Sequence, residues 1–204
     1  MNVLIFGATG ATGRHLVKQA LEQNHTVTAF ARNPAGLEST HSIQGDVLDA
    51  TLVEVAVQGQ DAVLCALGAP TSDKTMLRSS GTRNILCAMK KAGVERLVCQ
   101  SSLGFGDSRD ILPFHFKYIL VPLVLKHAFA DHESQEGLIK RSGLRWTIVR
   151  PANLTNGGFT GAYKHGFGVT EKIKLKISRA DVADFMVRQL SDNTYVHKTP
   201  GLSY

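Results

Sequence analysis

The stretch Val3-Leu4-Ile5-Phe6-Gly7-Ala8-Thr9-Gly10-Ala11-Thr12-Gly13-Arg14 decides the fold. Its four apolar residues are too few for a helix and read as a strand buried on both faces. Three glycines follow at intervals of three, and then Leu16, Val17, Ala20 and Leu21 form the apolar stripe of a helix. A glycine loop between a strand and a helix has a physical reason in each glycine. The turn needs unusual dihedrals, the backbone must approach a pyrophosphate closely, and the helix must pack tightly against the strand. The free N–H groups and dipole of a helix starting near Gly13 would then face the phosphates. Gly7, Gly10, Ala11 and Gly13 supply backbone to this cradle, and Thr9, Thr12 and Arg14 can add side-chain donors. The pattern predicts a nicotinamide dinucleotide site.

Working outward, further strand-like runs fall at 26–30, 62–66, 97–100 and 146–150, with a weaker one at 42–44. Amphipathic stretches separate them. One carries Ile85, Met89 and Ala92 and stops at Gly93, a plausible C′ glycine. Alternation of this kind predicts an α/β fold with a doubly wound, mostly parallel sheet. We expect a single domain over 1–204 with a small C-terminal substrate lobe. The segment 105–142 breaks the rhythm with Pro113, Pro122 and several aromatics, then a polar helix at 131–141. It should lie over the C-terminal edge of the sheet, where ligands bind in open α/β folds. Ser178 and Asp181 form a capping box for a last helix with Val182, Met186 and Leu190 on one face.

At 204 residues the chain can bury a core without disulfide or metal staples. Its 43% hydrophobic and 20% charged content is that of a globular protein. No run approaches the roughly 18 apolar residues of a membrane span, and the apolar start is too short for a signal peptide, so we expect a cytoplasmic protein. Cys65, Cys87 and Cys99 stand singly and read as buried free thiols in a reducing compartment. The net charge of +6 is scattered, and Lys172, Lys174 and Lys176 alternate as in a strand. That argues against nucleic acid and suits an anionic cofactor or substrate. His127, Asp131, His132 and Glu133 lack metal-ligand spacing and read as a solvated helix face; no metal is expected.

The end of the second strand selects the cofactor. An NAD site would carry an acid about 20 residues beyond the loop. Here Phe30-Ala31-Arg32-Asn33-Pro34 stands, with no acid before Glu38. Arg32 can fork onto a 2′-phosphate, which favours NADPH. Asp46, beside Val47, can accept from the adenine amino group or serve as a turn residue. Leu67, Gly68 and Ala69 let ribose and pyrophosphate lie against backbone.

At these residues the sequence resembles the atypical short-chain dehydrogenase/reductase superfamily, and most of all its biliverdin-IXβ reductase/flavin reductase branch. The resemblance is carried by FGATGATG at 6–13, GDVLDA at 45–50, GQDAVLCALG at 59–68, GTRNILCAMKKAGV at 81–94, Ser101-Ser102, TGAY at 160–163 and ISRADVADFM at 177–186. Superfamily members with full acid–base machinery carry Ser, Tyr and Lys, the last two as Y-x-x-x-K. Ser102 stands at the expected strand end, but Tyr118 is followed at 122 by proline, so Tyr118 reads as packing. The branch implies an NADPH-dependent reductase in which the nicotinamide carries the chemistry and the acceptor is a flavin, bilin or similar flat molecule. It places Ser102, with Ser101 beside it, against nicotinamide or acceptor. Leu103 and Phe105 would wall the pocket, with Pro151 against the cofactor and Asn153 approaching from the other side.

Two other readings stay open at this point. One is a non-enzymatic NADPH-binding regulator similar to NmrA-like proteins, and the other a reductase of quinones or small carbonyls. We expect a monomer or weak homodimer with a small-molecule partner and no nucleic acid or membrane.

Overall fold

A computed structural model describes residues 1–37, 41–70, 74–104, 106–111, 125–168 and 171–204. The first strand, β1 (Asn2–Phe6), pairs in parallel with β2 (Thr26–Ala31) on one side and β4 (Ala62–Cys65) on the other. Beyond β2 lies β3 (His41–Gln44), and beyond β4 come β5 (Arg96–Gln100) and β6 (Arg145–Pro151), all parallel. The order β3-β2-β1-β4-β5-β6 reverses direction between β1 and β4, which makes that the topological switch point. Late in the chain β10 (Gly201–Ser203) adds in parallel to β6, and β8 (Lys164–His165) closes the edge antiparallel. The doubly wound, mostly parallel sheet read from the sequence is the one observed.

Alternation within β1 shows why the strand is apolar throughout. Val3 and Ile5 enter one core with α1 (Ala11–Glu22) and α5 (Arg179–Arg188). Leu4 and Phe6 enter the other, with α2 (Ala50–Val57), α3 (Leu77–Ala92) and α4 (Lys126–Lys140). Gly93 ends α3 in the left-handed region at φ +71°, and the Val94 N–H returns to the Met89 carbonyl. The Ser178 hydroxyl accepts from the Asp181 N–H at 3.0 Å, so the predicted capping box opens α5.

Beyond β6 the chain forms a second, two-stranded parallel sheet of β7 (Asn153–Thr155) and β9 (Lys176–Ser178). Leu103, Ala152 and Phe167 make a small apolar cluster under it, with Ile173 and Leu175 packed on top. This appended layer leans over the C-terminal ends of β5 and β6, and is the structural counterpart of the expected lobe.

Two expectations need correction. Cys65 and Cys99 are buried register partners on β4 and β5, but Cys87 is exposed on α3. The helix α4 is not a solvated face. Its His127 and Glu133 are exposed, but Asp131 and Glu136 are 3% and 2% exposed. Among the described residues no helix is long and apolar enough to cross a membrane.

Candidate functional site

One cleft of about 920 Å³ runs along the C-terminal edge of the sheet, across the switch point. Such a volume lies at the upper end for small-molecule sites and suits an extended ligand with a second one beside it. At its centre the glycine loop is shaped by three different constraints. Gly7 has φ +76°, and a Cβ there would lie 2.5 Å from the Ala66 carbonyl oxygen. A Cβ on Gly13 would lie 2.0 Å from the Gly7 carbonyl oxygen, so the first turn of α1 sits directly on the loop. Gly10 is the N-cap of α1 and is exposed, leaving the helix N-terminus open to the cleft. With no side-chain cap on that terminus, its N–H groups fit phosphate oxygens.

The predicted cofactor residues largely converge here. Gly7, Thr9, Gly10, Ala11, Thr12, Arg32, Asp46, Val47, Leu67, Gly68, Ala69 and Pro151 all line the cleft. Gly13 is buried beneath it as a packing residue. Arg14 stands apart: it is exposed, and its Nη1 lies beside Gly36, on the turn that follows Arg32. Asp46 serves the turn through Oδ1, which accepts from the Leu48 N–H at 2.9 Å. No carboxylate from the end of β2 reaches the cleft among the described residues; Glu38 lies outside them.

At the far end the cleft is lined by Ser101, Ser102, Leu103 and Asn153, as the sequence suggested. Ser102 Oγ donates to the Leu103 carbonyl at 3.3 Å. Ser101, 3% exposed, turns its Oγ to Nδ1 of His132 at 3.4 Å. Leu103 is mostly committed to packing against Phe167 and Gly201. Asn153 is exposed and pairs in register with Lys176. Phe105 and Tyr118 lie outside the described residues.

Several lining residues went unread in the sequence. Ala128, Phe129 and His132 come from α4 and Leu125 from its N-cap, Arg78 from the start of α3, Lys174 and Lys176 from the lobe, and Arg179 from the start of α5. The α4 residues are positioned by two buried ion pairs. Asp131 accepts from the Arg78 and Ser79 N–H groups, capping α3, and also contacts the Arg78 guanidinium. One turn later, Glu136 holds Arg150 of β6 through two bonds of 2.9 and 2.7 Å. His132 sits between these anchors. Burial, with the nearby Arg78 charge, pushes its pKa down to about 4 against the pull of Asp131, Glu136 and Gln135. In the sequence His127, Asp131, His132 and Glu133 read as a solvated helix face, and Glu136 carried no signal of its own.

A family model described as NAD(P)H-binding matches residues 7–193. The chain belongs to the NAD(P)H-binding family. That membership agrees with the dinucleotide site read from the glycine loop and its context. It is similar to a Rossmann-fold NAD(P)-binding family protein from Shigella flexneri, with a TM-score of 0.75 and 27% identity over 99% of this chain and 92% of that one. It is similar in fold to ChuY, an anaerobilin reductase from Escherichia coli O157:H7, with a TM-score of 0.80 at 22% identity, covering 100% and 97% of the two chains. A 3 beta-hydroxysteroid dehydrogenase/Delta 5-->4-isomerase of Mycobacterium tuberculosis is 35% identical over 96% of this chain and 57% of its own length. The chain spans 57% to 61% of the length of the first curated relatives it matches.

Proposed function

We propose that the protein is an NADPH-dependent reductase that passes hydride to a flavin, a bilin or a similar flat conjugated acceptor. The observation that carries this reading is the make-up of the cleft's two ends. One end offers Arg32 and no carboxylate from β2; the other offers serines and a histidine, and no tyrosine among the described residues. The bound dinucleotide supplies the hydride. The chain's residues hold its phosphates over Gly10, orient the acceptor between Leu103 and Asn153, and limit water through Leu125 and Phe129. A conjugated acceptor spreads the incoming charge itself, so its reduction does not call for the Y-x-x-x-K pair that Pro122 interrupts in the sequence. The likeness to an anaerobilin reductase, though it shows fold alone, is in keeping with a bilin-sized acceptor.

The test is oxidation of NADPH and NADH, followed by the loss of their absorbance, with FMN, riboflavin, biliverdin and a quinone as acceptors. Turnover with a flavin or bilin and preference for NADPH are expected. Tight NADPH binding with no oxidation by any acceptor would replace this reading with that of a cofactor-binding regulator.

A further inference from the structure

We propose that Ser101 and His132 form a two-residue proton relay that protonates the acceptor as it receives hydride. This rests on the reductase reading above and replaces proton uptake from bulk solvent with delivery by the protein. The geometry comes from two elements fixed independently. Ser101 extends β5, its N–H bonded to the Val149 carbonyl at 2.7 Å. His132 is held on α4 between the Asp131–Arg78 and Glu136–Arg150 pairs. Both residues line the same end of the cleft, and 3.4 Å separates Oγ from Nδ1. Contacts of this kind are often long without substrate and shorten in the complex.

The step balances as follows. The acceptor gains hydride from the dihydronicotinamide, which is oxidised, and a proton from Ser101 as its Oγ–H bond breaks. Oγ regains a proton from His132 Nδ1–H, and Nε2 takes one from water in the cleft. The imidazole stays neutral with its tautomer exchanged, the water is left as hydroxide for solvent to neutralise, and proton exchange with water restores the Nδ1–H tautomer before the next turnover.

The surroundings suit a neutral ring. Arg78 at the start of α3 opposes a positive charge on it. Asp131 and Glu136 on its own helix favour one, but each is already paired, with Arg78 and with Arg150 and Lys140. Burial adds to the opposition and keeps the ring neutral from about pH 6 upward. The relay therefore works unchanged across a range in which an ordinary histidine titrates.

The experiment compares His132→Gln, Ser101→Ala and the double variant, each checked for folding by circular dichroism and for NADPH affinity. Each single change is expected to lower kcat about 100-fold while the KM for NADPH stays within about twofold. The double variant should lose no more than either single one, because the two residues act as a unit. Added imidazole should partly restore His132→Ala. Without any turnover, ¹⁵N NMR of the His132 ring should find it neutral at pH 6.5 and shifted by Ser101→Ala. Wild-type turnover that survives His132→Gln within about threefold overturns the relay alone. So do losses that multiply in the double variant, or a ring that titrates near 6.5 and ignores Ser101→Ala. A wild-type protein that reduces no acceptor removes the reductase reading, and the relay with it.

Discussion

Replacing Gly10 and Gly13 by alanine, one at a time, should separate cofactor binding from folding. A Cβ on Gly13 would fall 2.0 Å from the Gly7 oxygen and 2.8 Å from the Ala8 backbone, so α1 must move by about 1 Å to admit it. That helix is locked by Leu16, Val17 and Ala20, each no more than 5% exposed, and it cannot shift without opening the core. Overpacking of this kind costs about 1–3 kcal/mol, or about 2–12 °C in Tm for a chain of this size. Gly10 is different. Its φ of −66° and ψ of 164° suit any residue, and its Cβ would meet only the Gly7 oxygen, at 3.1 Å. Gly10→Ala should therefore stay within about 0.5 kcal/mol of the wild type. Its methyl group nevertheless stands where the pyrophosphate must approach. With NADPH at about 100 times its Kd, the wild type should gain about 2.7 kcal/mol, or about 5–11 °C. Thermal unfolding with and without NADPH reads both quantities. Gly10→Ala should keep its Tm without cofactor and lose most of the gain with it. If Gly10→Ala retained the full cofactor-dependent gain, the phosphates would not lie over Gly10 and the cradle argument would fail.

Arg32→Ala should raise the KM for NADPH by about 10- to 150-fold, the worth of one charge-assisted bond, and leave NADH nearly unchanged; equal losses would remove the 2′-phosphate role. Lys174 and Lys176 line the cleft with no carboxylate partner among the described residues, so Lys174→Gln with Lys176→Gln should weaken FMN more than riboflavin. That difference should shrink as salt rises, and an equal effect on both flavins would rule out a phosphate contact. Asp181 is opposed by burial, but bonds from Tyr204, Thr160 and Gly161 outweigh it and hold its pKa below the usual carboxylate value. Its contribution is thus present above about pH 4 and lost as pH falls through the folded-state value. Urea unfolding of Asp181→Asn should show a larger penalty at pH 7 than at pH 3, and equal penalties would refute the linkage.

The strands and the glycine loop were legible because local pattern and tertiary role agree there. Val3 to Phe6 are apolar since both faces are covered, and Gly7 and Gly13 are each crowded by backbone, that of Ala66 and that of Gly7 and Ala8, which leaves no room for a Cβ. The far end of the cleft was legible only in part. Ser101, Ser102 and Asn153 follow strands whose ends can be counted, so their place at the edge could be read. Lys174 and Lys176 could not, since their position depends on β9 pairing with β7 rather than with the main sheet. The sequence of α4 misled for a physical reason. Binary patterning assumes that polar residues face water, and Asp131, Gln135 and Glu136 instead face inward, where each finds a partner on α3 or β6.

Those inward polar residues have a consequence for the chemistry. An apolar α4 would bury just as well, but apolar contacts tolerate small slides of a helix along its axis and small rotations about it. Directional bonds do not. Asp131 must meet two successive N–H groups at the start of α3, and Glu136 must meet both guanidinium bonds of Arg150. A slide of one residue, about 1.5 Å, would break both sets at once. Buried ion pairs are weak evidence for added stability, since desolvation offsets most of their attraction. Their use here is in register: they fix His132, between them, against Ser101 on a different strand. The outcome is a helix whose position is set by salt bridges and whose one imidazole in the cleft is kept uncharged. On the proposed relay that fixed register is what counts, because a slide that parted the ring from Ser101 would leave the hydroxyl without its proton source.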